Sequence, residues 1–208
     1  MLAYLRDEAE AVALASAIGA ANEAWVVDVV PAYASVAVFF DLDRIDFPTA
    51  TDRVRQIHQA AARDKVAQGR LREIPCCYER GLDLERVAGH TRLATDKVIR
   101  LHLATTYAVY AIGFCPGFPY LGYLADRLAG VPRLETPRLR VEPGSVGLTG
   151  RQTGIYSLAR PGGWNIVGQT PFELVNVADG YFPLRAGDQV RFQRIDEAEF
   201  RRLQGTRL

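Results

Sequence analysis

Lysine is nearly missing from this chain: Lys65 and Lys97 are the only two among 25 basic residues, and the other 23 are arginine. None follows residue 97. The C-terminal half therefore holds neither a Walker-type G-x-x-x-x-G-K-[ST] phosphate loop nor a Schiff-base lysine. Cysteine is almost as sparse. Cys76, Cys77 and Cys115 lack metal-ligand spacing, which argues against a disulfide framework and for a reducing, cytoplasmic setting. The three histidines, His58, His90 and His102, are scattered, so no protein-bound metal is expected. No apolar run approaches the roughly 18 residues of a membrane span, and no basic stretch followed by an apolar one opens the sequence, so a soluble protein is expected. A net charge of +1 gives no global attraction to nucleic acid or to an anionic membrane.

What is present describes an ordinary folded protein. The 208 residues, 49% of them apolar and 24% charged, are enough for one large domain or two small ones. Residues 2–5 are a candidate strand. The run E-A-E-A-V-A-L-A-S-A-I-G over 8–19 is rich in helix formers, with Val12, Leu14, Ala15 and Ile18 as its core stripe and Gly19 as a stop. Residues 25–30 and 35–40 are β-rich and flank a hairpin turn at Pro31-Ala-Tyr-Ala. A helix over about 51–68 follows Pro48, with Val54, Ile57, Ala61 and the Lys65 stem on one side, and residues 71–78 read as a further strand. That order, β-α-β-β-α-β, is the split-βαβ or ferredoxin-like unit, and it would close a domain over 1–78.

Two short helices broken at 89–94 then make a helical connector over 79–104, and residues 105–208 turn all-β. Strands are predicted at 106–114, 145–148, 154–159, 164–170, 172–177 and 189–195. Many short strands with frequent turns predict a barrel or sandwich, and an α+β protein as a whole. Well over half of the 18 glycines and 11 prolines fall between residues 113 and 171. Aromatic and branched side chains interleave them, so this stretch is tight turns between strands, not a linker.

The chemistry-bearing residues gather in that stretch. Ser145, Thr149, Gln152, Thr153 and Tyr156 stand among Gly144, Gly147, Gly150 and Gly154. Exposed backbone N–H groups in glycine turns hold anions, Gln152 offers a donor and an acceptor, and Tyr156 a phenol. The same polar groups would equally serve buried backbone. Arg138 or Arg140 has the fork that grips a carboxylate or phosphate. His102 shares a helical face with Val98, and both a core and a site role stay open. Phe118, Tyr120 and Trp164 are core or pocket-wall aromatics. Ser145 lacks the first glycine of a nucleophile elbow. Cys115 reads as a small buried residue. Residues 84–100 have the rough spacing of a helix-turn-helix, but Arg92 stands at the turn glycine and Asp83, Glu85 and Asp96 dilute the basic face, so packed helices are expected rather than a DNA reader.

The motifs G-F-C-P-G-F-P-Y-L, P-R-L-E-T-P-R, P-G-S-V-G-L-T-G-R-Q-T-G-I-Y, P-G-G-W-N-I-V-G-Q-T-P and G-D-Q-V-R-F resemble those of the KipI/PxpB family, also called allophanate hydrolase subunit 1. Upstream, V-V-D-V-V-P-A-Y-A-S, I-P-C-C-Y, L-E-R-V-A-G-H-T and V-I-R-L-H are similar too, so the likeness covers nearly the whole chain. The resemblance implies an N-terminal α/β domain and a C-terminal cyclophilin-like β-barrel. It implies a subunit of an ATP-dependent 5-oxoprolinase that opens 5-oxo-L-proline to L-glutamate, with a KipA/PxpC-type and a LamB/YcsF (PxpA)-type partner. ATP is implied for the complex, with no cofactor or metal held by this chain. Other roles in the family are inhibition of a sensor histidine kinase and urea-amidolyase-related chemistry. For a 5-oxoproline pocket, Arg138 would take the carboxylate, Ser145, Gln152 and Thr153 the lactam, and His102 or Tyr156 the proton, between walls of Phe118, Tyr120 and Trp164.

Overall fold

The computed structural model describes residues 1–61 and 69–208, and the chain divides into two units, Met1–Gly69 and Arg70–Leu208. In the first, helix α1 (Glu8–Ala21) starts where Asp7, in extended conformation, accepts the Glu10 amide at 2.8 Å. Glu8 and Glu10 in its first turn oppose the positive end of the helix dipole. Good helix formers carry it through Gly19. The stop is Asn22, left-handed at φ 46°, whose N–H bonds back to the Gly19 carbonyl. Ala11, Leu14 and Ile18 are its buried face, so Val12 and Ala15 of the expected stripe lie on the flanks.

Strands β1 (Leu2–Tyr4), β2 (Val26–Ala32) and β3 (Ser35–Phe40) form an antiparallel sheet in the order β1-β3-β2. The hairpin turns at Tyr33, φ 53°, and Ala34. Helix α2 (Phe47–Ala61) packs on α1, and Leu14, Ile18, Trp25, Val36, Val38 and Val54 lead the core between helices and sheet. The rest of the helix expected to 68, with Lys65, lies outside the described residues.

The expected fourth strand of this sheet pairs elsewhere, which corrects the split-βαβ reading. Strand β4 (Leu71–Cys76) runs parallel to the last strand of the chain, from Leu71 opposite Gln189 to Cys76 opposite Arg194. Its apolar residues Ile74 and Cys76 are buried with Val190 and Phe192 in the second unit's core. Nothing local in 71–76 distinguishes the two pairings; the partner lies more than a hundred residues downstream.

The second unit is built on a seven-stranded sheet. Its strands are β4, β5 (Thr106–Ile112), β6 (Pro119–Gly122), β8 (Ser145–Thr149), β9 (Gln152–Ile155), β11 (Asn165–Gln169) and β12 (Gln189–Arg194). Their order is β11-β8-β9-β6-β5-β12-β4. Cys77 and Gln169 exchange backbone hydrogen bonds of 2.8 and 3.0 Å, tying the end of β4 to β11 and nearly closing the sheet on itself. This closure needs Gly168, where a Cβ would stand 2.6 Å from the Cys76 Sγ and 3.0 Å from the Cys77 carbonyl. Strands β7 (Arg138–Val141) and β10 (Arg160–Gly162) make a separate two-stranded ribbon.

Helices α3 (Leu84–Thr91) and α4 (Thr95–Leu103) pack on β11 and β12 and place Val87, Ala88, Val98 and Ile99 in the core. The residues expected as a connector are thus integral to the second unit. The strand expected at 172–177 does not form. There the Asn176 side chain bonds Glu173 and the Ala178 amide at 2.9 and 3.1 Å, making a local turn. Helix α5 (Glu197–Leu203) follows β12, with Arg80 3.9 Å over the Phe200 ring and 2.6 Å from Glu197.

Candidate functional site

Side chains alternate across a strand, so each strand of the barrel-like sheet serves two environments. Val146 and Leu148 of β8, Thr153 and Ile155 of β9, Leu121 of β6, and Tyr107 and Val109 of β5 face the main core. Ser145 and Gly147, Gln152 and Gly154, and Tyr120 take the other face. Against that face a second cluster forms from Cys115, Phe118, Val141, Tyr156, Trp164 and Ile166.

The second cluster is not sealed. A cleft of about 260 Å³ opens beside it, walled by Phe118, Tyr120, Tyr156 and Trp164, with Phe114, Pro137 and Pro161 at its edge and Arg133 reaching in. Phe118 holds the aromatics together by edge-to-face contacts, with ring centroids 4.9 Å from Tyr120, 5.3 Å from Tyr156 and 5.5 Å from Trp164. Gly154 lets them approach the sheet, because a Cβ there would come within 2.9 Å of the Phe118 ring and 3.0 Å of Trp164. Burial raises the phenol pKa of both Tyr120 and Tyr156. The charge of Arg133 opposes that rise at each, and at Tyr156 a backbone hydrogen bond from Trp164 and the charge of Arg138 do so too. Both phenols therefore stay protonated donors near neutral pH.

The other predicted site residues are not in this cleft. His102 is 1% exposed in the main core, stacked on Phe192 with centroids 4.7 Å apart. Its Nδ1 lies 2.7 Å from the Tyr78 hydroxyl and its Nε2 3.1 Å from the Thr153 hydroxyl. Thr153 donates its one proton to the Gly147 carbonyl at 2.9 Å, so it must accept from Nε2–H, and Nδ1 accepts from Tyr78. Every member is satisfied. Desolvation lowers the His102 pKa to about 3, so the ring is neutral. His102 and Thr153 thus meet, as buried groups on the inward face.

Arg138 donates at 2.7 Å to Asp83, and the other Asp83 oxygen accepts the Ile166 amide at 2.7 Å. That nearly buried carboxylate joins the start of α3 to β7 and β11 and engages Nη2 of Arg138, whose Nη1 is buried without a hydrogen-bond partner. Arg140 pairs with Glu142. Ser145 and Gln152 lie at opposite ends of the β8–β9 hairpin, one beside Tyr156 and the other opposite Thr149, and neither lines the cleft. Of the nine residues expected at a site, the cleft gathers Phe118, Tyr120, Tyr156 and Trp164.

The residue that sequence reasoning missed is Arg133. It is exposed, forms no ion pair among the described residues, and is the only charged group lining the cleft among them. The motif P-R-L-E-T-P-R contains it, and the local signal was ambiguous: Glu135 beside it is a ready partner on paper, while the carboxylate that captures Arg138 is 55 residues away. Among the described residues no cluster of His, Cys, Asp and Glu suits a metal ion, and no helix is long and apolar enough to cross a membrane.

Residues 3–181 match the family model described as carboxyltransferase domain, subdomain C and D. The chain is 38% identical over 187 residues to the 5-oxoprolinase B-type subunit of Bacillus subtilis (strain 168), covering 84% of this chain and 78% of that protein. It is 41% identical over 174 residues to the Haemophilus influenzae protein of the same name, covering 82% and 80%. Among solved structures it matches TTHA0988 with a TM-score of 0.82 at 33% identity, covering 94% of this chain but only 39% of that longer one. The urea carboxylase of Kluyveromyces lactis shares the fold, with a TM-score of 0.69 at 17% identity over 94% of this chain and 20% of that one. By a family model spanning most of its length and relatives matched over most of theirs, the chain belongs to the PxpB/KipI family, the B-type subunits of 5-oxoprolinase.

Proposed function

We propose that this chain is the B-type subunit of an ATP-dependent 5-oxoprolinase, which opens 5-oxo-L-proline to L-glutamate together with a KipA/PxpC-type and a LamB/YcsF (PxpA)-type subunit in the cytoplasm. The observation that carries the reading is the match, across most of both chains, to proteins named as the B-type subunit of 5-oxoprolinase. An unstrained lactam resists water because its nitrogen lone pair is delocalised into the carbonyl. Converting the amide oxygen into a phosphate ester removes that protection before water attacks. The sequence supplies no Walker-type loop and no lysine after residue 97, so nucleotide chemistry is assigned to another subunit.

This chain's part is the cleft. Concave aromatic sites with a few directed polar groups are the usual form of small-molecule pockets. Phe118 and Trp164 present ring edges and faces to a five-membered ring, and the protonated phenol of Tyr156 is a donor for an amide oxygen that gains charge as it reacts. Co-expression with the two partner types, followed by glutamate and ADP release from 5-oxo-L-proline, is the test. ATP-dependent glutamate release that disappears when this chain is left out is the expected result. A complex of the other two that turns over equally well without it ends the proposal.

A further inference from the structure

The cleft carries a charge pattern that its aromatic walls do not explain. Its lining contains one cation, Arg133, and no acid. Of the half-buried guanidinium groups in this unit, Arg138 has Asp83 and Arg80 has Glu197, while Arg72 reaches the Pro183 carbonyl at 3.4 Å. Even the exposed Arg140, Arg191, Arg194 and Arg207 have carboxylate partners. Other exposed arginines, Arg127, Arg151, Arg160 and Arg185 among them, also lack an ion pair among the described residues; Arg133 differs in that it lines the aromatic cleft. Pro132 before it and Pro137 after it restrict the segment that carries it, and the Leu134 amide is tied to the Gly163 carbonyl at 2.8 Å. The guanidinium is therefore presented from a braced loop.

We propose that Arg133 is the specificity-determining residue of this cleft, gripping the carboxylate of a small ring-shaped monoanion whose body lies against Trp164 and Tyr120. A guanidinium meets a carboxylate through two parallel N–H donors, which favours a carboxylate over a neutral amide or ester of the same shape. One positive charge with no competing acid selects one anionic group. An open-chain amino dicarboxylate would leave its second carboxylate against aromatic walls. The cleft thus prefers the cyclic acid to the linear product. The ligand's identity rests on the 5-oxoprolinase reading; the preference for a ring-borne carboxylate does not.

The test uses the full chain carrying Trp25→Phe, which leaves Trp164 as the single indole reporter of the cleft. 5-Oxo-L-proline, 5-oxo-L-prolinamide and L-glutamate are titrated against this protein by tryptophan fluorescence and against the assembled complex by calorimetry. The acid is expected to bind at least about tenfold more tightly than its amide, as a charge-assisted pair contributes on that order. Arg133→Gln erases the difference, and Arg133→Lys restores part of it, because ammonium keeps the charge and loses the fork. Thermal melting of these variants stays with the parent, since Arg133 is exposed and has no ion-pair partner. Equal binding of acid and amide, a preference that survives in Arg133→Gln, or no response to the acid in either the chain or the complex overturns the assignment. The two proposals separate cleanly. A complex that turns over with an unchanged KM in Arg133→Gln loses the role of Arg133 alone. A chain that binds the acid through Arg133 while no complex turns over loses only the proposed reaction.

Discussion

Strand β9 divides two polar worlds. On its inward side Thr153 joins Tyr78, His102 and the Gly147 carbonyl in a chain in which each donor has one acceptor. On its other side Gly154 makes room for Phe118 and Trp164, and Arg133 stands over them without a carboxylate. The inner network holds more titratable chemistry, yet it is sealed and closed upon itself. Buried polar groups that are fully satisfied stabilise and specify a fold, and they have no capacity left for a ligand. The outer face has fewer groups with capacity to spare. The comparison teaches that availability, rather than the presence of a histidine, marks the candidate site.

Three experiments break or sharpen this contrast. The largest effect is expected from His102→Ala, which empties a core position and leaves the Tyr78 hydroxyl and the Thr153 acceptor without their partner. Urea unfolding should show a loss on the order of 3–5 kcal/mol, while the folded fraction binds 5-oxo-L-proline within about twofold of the parent. Unchanged stability with lost binding would move His102 from the frame to the site. Next comes Gly154→Val. Its branched side chain meets Phe118, Trp164 and the Pro119 carbonyl, so a cost of about 1–3 kcal/mol is expected. Here two aromatic walls of the cleft are displaced, and ligand binding should weaken by about tenfold or more. A variant that binds as before would show that the ligand does not depend on the placing of Phe118 and Trp164.

The third experiment varies pH. His102 has a folded-state pKa of about 3 against an ordinary value of 6.5, so below 6.5 the unfolded chain takes up a proton that the native ring refuses. Stability from this group is therefore complete above pH 6.5 and falls as pH drops from there towards 3. Urea midpoints followed across that window should decline less steeply in His102→Gln than in the parent. In Arg133→Gln they should track the parent throughout. Parallel slopes for the parent and His102→Gln would refute a neutral, sealed histidine.

The legible parts of the fold were those with local causes. The run of helix formers became α1, though it passes the expected stop at Gly19 and ends at Ala21, the β-branched runs became β2 and β3, and the broken helical stretch became α3 and α4. The glycine-rich stretch did form short strands, though β6, β7 and β10 are too brief to stand out from their turns. The fourth strand was misassigned because β4 is equally apolar whichever sheet receives it. The aromatic walls of the cleft were readable as a set of large residues in a turn-dense region. The division of arginines was not, because Asp83, which captures Arg138, is brought to it only by the packing of α3 on β11.

The sequence by itself determined the main helical and β-rich runs, the turn-dense stretch, the lack of a lysine phosphate loop, and the stock of aromatic, arginine and hydroxyl side chains from which a site was built. These follow from propensity and composition, which act within a few residues. Tertiary structure alone decided which strand β4 joined, that His102 and Thr153 were turned inward, and that Arg138 was captured by a carboxylate while Arg133 was left facing the cleft. Charge pairing and burial depend on distance in space, and folding brings together residues that the chain order keeps 50 to 120 positions apart.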